Sequence, residues 1–189
     1  MALLTILPLK TKQNQQKRGE ILIKRQLKEA YKILYHKTPL GAVNCGDICG
    51  ALCCKGDCKG MWLYPSEDEL FADKQGFEVK NTEANHGYPM LLCSGECRRG
   101  ERPLACRFFP LFPLITERGG RVRISVVRDP RAGECPLSDE RVRLSSPFER
   151  AVKRAARILV HDRETLEYMK KVSSELTEIT ELKDRLGKL

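Results

Sequence analysis

Residues 45–58 read CGDICGALCCKGDC, and residues 97–110 read CRRGERPLACRFFP. These two stretches hold seven of the nine cysteines of the chain. The density of Gly and Cys between residues 41 and 60 is typical of a loop that encloses a bound group, and not of a helix or strand. Thiolates are ligands for zinc and for iron–sulfur clusters. The sequence therefore predicts an irregular centre that is organised by metal.

All nine cysteines are candidate metal ligands: Cys45, Cys49, Cys53, Cys54, Cys58, Cys93, Cys97, Cys106 and Cys135. Four thiolates per site is the usual number. Nine cysteines can therefore form two four-ligand sites with one cysteine left over, or one site with several cysteines that bind no metal. No pair has the two-residue gap of zinc knuckles and ribbons, and the bacterial ferredoxin run is absent. The spacing leaves the kind and the number of sites open.

Free thiols are typical of reducing compartments and disulfides of oxidising ones. A secretory signal at the N-terminus would therefore change the predicted chemistry of the cysteines. Its apolar run is interrupted by Pro8 and followed by Lys10 and Lys12, which is not the pattern of a secretory signal. No stretch approaches the roughly 18–20 uncharged apolar residues of a membrane helix. We therefore expect a cytoplasmic protein with no membrane partner, in which clustered cysteines bind metal more often than they form disulfides.

The string from Cys97 to Pro110 resembles the C…RPxxCRxFP signature of the YkgJ-type cysteine-cluster family of zinc- or iron-chelating proteins. Cys49-Gly50 followed by Cys53-Cys54 is similar to the upstream CGxCC element of that family, with one extra residue. The resemblance spans roughly residues 45–110 and implies zinc or an iron–sulfur cluster, 4Fe–4S included, without a defined reaction. A lysine methylase of flagellin is similar over the same motif, so methyl transfer is a remote alternative. This chain has no Gly-rich strand-to-helix loop for a methyl donor.

Arg102 and Arg107 flank the ligand candidate Cys106. A site with four thiolates carries net negative charge, which nearby guanidinium groups would offset. Their fork geometry also suits hydrogen bonds to backbone carbonyls that would fix the loop. We therefore predict that both arginines lie beside the cofactor.

Periodicity and turn residues predict the remaining elements. Strands at 111–116 and 122–127 would form a hairpin around Gly119-Gly120, with a basic outer face on the second strand. Ser66-Glu69 and Ser146-Glu149 have the capping-box pattern. We expect helices at 20–36, 67–75, 147–160 and 163–186 and a short strand at 62–64. The apolar stripe from Leu166 to Leu186 is predicted to dock on the core, with a coiled-coil contact as the alternative.

These elements predict a small α+β, cysteine-rich domain with a short hairpin and a C-terminal helical pair. We divide the chain into an N-terminal basic segment and helix (1–40), a metal-binding core (41–140) and helices packed on that core (141–189). The formal net charge of +9 makes nucleic acid an alternative partner, although solvated basic faces explain it more simply. The predicted function is metal binding through cysteines, in a structural or redox role. The alternatives are a nucleic-acid-binding zinc module and a cluster-dependent enzyme such as a protein methyltransferase.

Overall fold

The computed structural model describes residues 25–55, 60–95 and 97–187. Over these residues the chain is a mixed α+β fold, which confirms the predicted class. Its α-helices are α1 (25–34), α2 (Cys45–Cys49), α3 (Leu52–Lys55), α4 (Leu104–Phe108), α5 (Ser146–Leu159) and α6 (Arg163–Leu186). Its strands are β1 (Met61–Trp62), β2 (Phe77–Lys80), β3 (Met90–Cys93), β4 (Leu111–Arg118) and β5 (Arg121–Arg128).

The predicted hairpin is present as β4 and β5, which pair antiparallel from Leu111↔Arg128 to Arg118↔Arg121. Gly119 and Gly120 connect them with φ values of +58° and +70°. A two-residue connection with positive φ at both positions suits the right-handed twist of the flanking strands. The hairpin is therefore specified locally, by the two glycines.

The predicted C-terminal helical pair is also present, and both helices pack on the hairpin. The Asp162 carboxylate caps α6 by accepting a hydrogen bond from the Thr165 amide at 2.7 Å. The predicted cap at Ser146 is wrong, because α5 begins at that residue and Ser145 precedes it without a side-chain capping bond. The start of α5 therefore shifts by one residue.

The apolar stripe of α6 docks over only part of its length. Met169, Val172 and Leu176 are buried, whereas Leu182 and Leu186 are 50% and 59% exposed. The docking prediction thus holds for the first half of the helix. In the part of the chain that the structure describes, no helix is both long and apolar enough to cross a membrane.

One apolar core joins the three segments into which the sequence was divided. It contains Leu34 of α1, Phe108 of α4 and Phe148 of α5, together with buried side chains of β4 and α6. The predicted helix at 20–36 is present over residues 25–34 and ends two residues earlier than predicted, and residues 20–24 lie outside the described part. Burial of these apolar faces, at about 25 cal/mol per Å², stabilises a scaffold that contains the hairpin and the long helices.

A second sheet has the strand order β1-β3-β2, all antiparallel. The predicted strand at 62–64 overlaps β1 only at Trp62, since Leu63 and Tyr64 lie outside the strand, and the sequence analysis missed β2 and β3. The predicted helix at 67–75 is wrong: only a 3-10 turn, Asp68–Leu70, forms there. The buried Glu67 carboxylate accepts hydrogen bonds from the Tyr64 and Leu104 amides, which ties the chain to neighbouring elements instead of continuing a helix.

The predicted loop at 41–60 needs a correction, since α2 and α3 lie within it. They are separated by Gly50 and Ala51, whose φ values are +62° and +58°. A left-handed backbone ends a helix, so two short helices form where the Gly and Cys content predicted none. The consequence is a sharp change of direction between Cys49 and Cys53.

Candidate metal centre

The eight described cysteines come from both halves of the cysteine-rich core. Cys45 and Cys49 lie on α2, Cys53 and Cys54 on α3, Cys93 at the end of β3 and Cys106 on α4. Cys97 precedes a 3-10 turn, Arg99–Glu101, and Cys135 precedes another, Pro136–Ser138. All eight are free thiols. Cys58 lies outside the described residues.

These thiols surround two small cavities. The first, which we call the larger cysteine pocket, has a volume of about 140 Å³ and is lined by Cys53, Cys54, Cys93, Cys97 and Cys106. The second, the smaller cysteine pocket, has a volume of about 30 Å³ and is lined by Cys45, Cys49, Cys53 and Cys135. Every described cysteine thus lines at least one pocket, and Cys53 lines both.

The sulfurs are near one another without being in coordination geometry. The Cys53 and Cys54 sulfurs are 3.9 Å apart, and the Cys49 thiol donates a hydrogen bond to the Cys45 carbonyl at 3.4 Å. Among residues 25–55, 60–95 and 97–187, no three His, Cys, Asp or Glu side chains are arranged so that they could hold a metal ion. The described residues therefore contain no metal-organising cysteine site, and what is present of the predicted centre is a set of free thiols that line two pockets.

The pKa values of the thiols follow from burial and from their neighbours. Burial raises the pKa of Cys106 well above its ordinary value, and the neighbouring Cys97 and Cys54 raise it further. Burial also raises the pKa of Cys97, although Arg102 opposes this. By contrast, the contact with Cys53 lowers the pKa of Cys54 to about 6. Of these two thiols, Cys54 is consequently the one that ionises more readily.

Arg102 lies beside the thiols of the larger cysteine pocket. Burial lowers the pKa of its guanidinium, but Cys54 and Cys97 more than offset this, so the pKa is raised. Its Nε is buried and has no hydrogen-bond partner among the described residues. The side chain is thus a cation with an unused donor next to the cysteines.

Arg107 holds the loop that leads into α4. Its Nε donates to the Arg102 carbonyl at 2.8 Å, and its Nη2 donates to the Gly100 carbonyl at 2.7 Å. The guanidinium carbon lies 4.4 Å from the centre of the Tyr31 ring, and the side chain is 2% exposed. This is the bonding to backbone carbonyls that the fork geometry of arginine allows, and it fixes the segment that presents Cys106.

Glu67 is a structural residue of the site that sequence reasoning missed. Its carboxylate accepts hydrogen bonds from the Tyr64 amide at 2.8 Å, from the Leu104 amide at 2.7 Å and from the Tyr31 hydroxyl. Burial raises its pKa, while these three hydrogen bonds lower it. In the sequence Glu67 is followed by Asp68 and Glu69 and looks like a surface carboxylate, so no local signal distinguishes it.

Comparison of this chain with protein-family models, with curated proteins and with solved structures found no match.

Proposed function

We propose that this protein binds zinc or an iron–sulfur cluster through its clustered cysteines, in a structural or redox role. The observation that supports this is the convergence of thiols from distant parts of the chain on two pockets, with Cys45 and Cys135 lining the same one. Such convergence of free thiols has an obvious use in binding a soft or borderline metal. The resemblance of residues 45–110 to the YkgJ-type family favours the same function.

The pockets suggest how the cysteines would be divided. In our proposal, Cys54, Cys93, Cys97 and Cys106 hold one centre. Cys45, Cys49, Cys53 and Cys135 hold a second, and Cys58, which lies outside the described residues, stays a candidate ligand for either. This is the four-plus-four division that the usual ligand number allows.

The donors fit the proposed group in softness and in charge. Thiolates are the ligands that zinc and iron–sulfur clusters prefer, and Arg102 supplies a positive charge beside Cys54 and Cys97. Bound zinc would fix the pocket walls, and a bound cluster would accept and release one electron. A cytoplasmic, reducing environment would keep the cysteines available as ligands.

The first test is the metal content and the visible absorption spectrum of protein purified without oxygen. Binding of zinc would give a colourless protein with one or two zinc ions per chain. An iron–sulfur protein would be brown, with absorption near 400 nm and equal amounts of iron and sulfide. A folded protein that contains neither, and that takes up neither on reconstitution, would contradict the proposal.

Paired substitutions test the division into two centres. The double variant Cys97→Ser, Cys106→Ser should lose the metal of the larger cysteine pocket and keep that of the smaller one. The double variant Cys49→Ser, Cys135→Ser should lose the metal of the smaller pocket and keep that of the larger one. Ser125→Ala, on the exposed face of β5, serves as the control and should keep the full metal content. Loss of all metal from either double variant, with the fold intact by circular dichroism, would argue for one shared centre.

A nucleic-acid-binding role is the second candidate, and the exposed face of α5 favours it. That face carries Arg150, Lys153, Arg154 and Arg157. It therefore presents four positive charges on successive turns of the helix. If these residues contact phosphates, the logarithm of the binding constant for a DNA duplex should fall by about 0.9 per contact with the logarithm of salt concentration. Binding that is unchanged by Arg150→Gln with Arg154→Gln would contradict this role.

A further inference from the structure

A third cavity, of about 350 Å³, lies next to the cysteine pockets and contains no cysteine in its lining. We call it the aromatic cavity, since its walls include Trp62, Phe108, Phe109 and Phe112, with Leu111 and Val172 completing the apolar surface. Binding sites for small molecules in proteins are typically about 300–1,000 Å³ and mostly apolar, with few polar groups. The aromatic cavity falls within that range and has that character.

Among its lining residues, the aromatic cavity has a buried hydrogen-bond donor without a partner, the Tyr64 hydroxyl. Tyr64 is 2% exposed, and its hydroxyl has no hydrogen-bond partner among the described residues. Tyr168, Asp129 and Arg131 interact electrostatically with this hydroxyl and line the same cavity, and the buried Glu67 also interacts with it from outside the lining. An unpartnered buried hydroxyl calls for an explanation, and a ligand acceptor in this cavity supplies one.

The charged pair of the cavity and the Tyr168 hydroxyl already have partners, and the two charges cancel. Arg131 donates to both carboxylate oxygens of Asp129, at 3.0 Å and 2.7 Å, and its guanidinium carbon lies 4.9 Å from the centre of the Trp62 ring. The Tyr168 hydroxyl donates to the Asn85 side-chain oxygen at 2.9 Å. The lining therefore offers no net charge to a ligand, which favours a neutral one.

We propose that the aromatic cavity binds a neutral aromatic compound with a carbonyl oxygen, which accepts a hydrogen bond from the Tyr64 hydroxyl. The ring would pack against the phenylalanine side chains and Trp62, whose offset and edge-to-face contacts favour aromatic partners. This inference does not depend on metal binding. Gly60 and Met61 line both this cavity and the larger cysteine pocket, so the ligand would lie beside that pocket.

The chain itself provides the optical signal for a test, because Trp62 is its only tryptophan. The probe is 6-propionyl-2-(dimethylamino)naphthalene, a neutral naphthyl ketone whose emission reports both polarity and hydrogen bonding. Titration into the purified protein should quench Trp62 fluorescence by energy transfer, saturate at one probe per chain, and shift the probe emission to the blue of that in water. Absence of saturable binding to folded protein would overturn the proposal.

Matched variants test the assigned hydrogen bond. Tyr64→Phe keeps the ring and removes only the hydroxyl, so the probe should bind about 3- to 10-fold more weakly, and its emission should shift further to the blue. Tyr35→Phe, at a tyrosine that is 52% exposed and outside the cavity lining, should bind like the unmodified protein. Equal affinity of Tyr64→Phe and the unmodified protein would overturn the assignment.

A filling variant tests the location. Val172→Phe adds volume to the cavity wall and should abolish binding of the probe. Retention of full affinity in a folded Val172→Phe protein would place the probe elsewhere and overturn the proposal. Tyr64→Phe removes a group without adding volume, so the proposal stays testable even if Val172→Phe fails to fold. Metal content measured on the same samples separates these results from those on the cysteines.

Discussion

At the scale of single residues, Arg107 connects the chemistry of the site to its scaffold. Its guanidinium bonds two carbonyls, those of Arg102 and Gly100, and packs on Tyr31. A lysine ammonium is a compact point charge without a planar fork. It cannot reproduce both bonds and the ring contact at once.

We therefore expect Arg107→Lys to lower the free energy of unfolding by about 1.5–3 kcal/mol, the range for hydrogen bonds to charged groups. Urea unfolding followed by circular dichroism measures this. Arg121→Lys is the matched control, because Arg121 is exposed at the end of the hairpin; it should change stability by less than about 0.5 kcal/mol. Equal effects of the two substitutions would contradict the role of Arg107.

Glu67 gives a prediction for pH dependence. Burial raises its pKa in the folded protein above that of an unfolded chain, which is about 4.3. The folded state thus binds this proton more tightly than the unfolded state. The contribution of Glu67 to the free energy of unfolding is therefore complete below the unfolded pKa and is lost as the pH rises through the raised pKa. The unfolding free energy of the unmodified protein, minus that of Glu67→Gln, should be largest near pH 4 and decrease at higher pH. A difference that increases from pH 4 to 7 would contradict this sign.

At the scale of elements, α6 divides into a docked half and a projecting half. Leu176 is 1% exposed, whereas Leu182, less than two turns later, is 50% exposed. Leu176→Ala should destabilise the protein by about 2–5 kcal/mol, as buried leucine truncations do. Leu182→Ala is the matched control and should change stability by less than about 0.5 kcal/mol. Comparable losses in urea unfolding would mean that the end of α6 is also covered in solution.

At the scale of the whole molecule, the apolar core meets the cysteine pockets at its edge, where the half-buried Cys45 and Cys135 pack against it and its member Leu137 lines the smaller cysteine pocket. The core joins α1, the hairpin, α4, α5 and α6, and its fully buried members include no cysteine. We expect removal of metal by a chelator to leave most of the far-ultraviolet circular dichroism intact, since no residue of α5 or α6 lines either cysteine pocket. Loss of the helical signal together with the metal would contradict this and would mean that metal supplies much of the folding free energy.

The elements that could be predicted from sequence are those determined by local pattern. The hairpin follows from Gly119-Gly120, and α6 follows from apolar residues at helical spacing. The strands β2 and β3 were missed because each has four residues and depends on pairing with a distant partner. The helices α2 and α3 were missed because Gly and Cys dominate their composition. The partition of thiols between pockets rests on Cys135 approaching α2, which no spacing reveals.

Gly60 lines both the aromatic cavity and the larger cysteine pocket, and substitution of this one residue would disturb the walls of both. A Cβ atom added to Gly60 would meet the Leu91 carbonyl oxygen at 2.8 Å, and its φ is +71°. Any codon change that replaces this glycine therefore introduces both a clash with backbone and a strained conformation. We expect relatives of this chain that have both the aromatic cavity and the larger cysteine pocket to keep glycine at this position. Loss of the glycine would disturb both, so the two cavities should be conserved together.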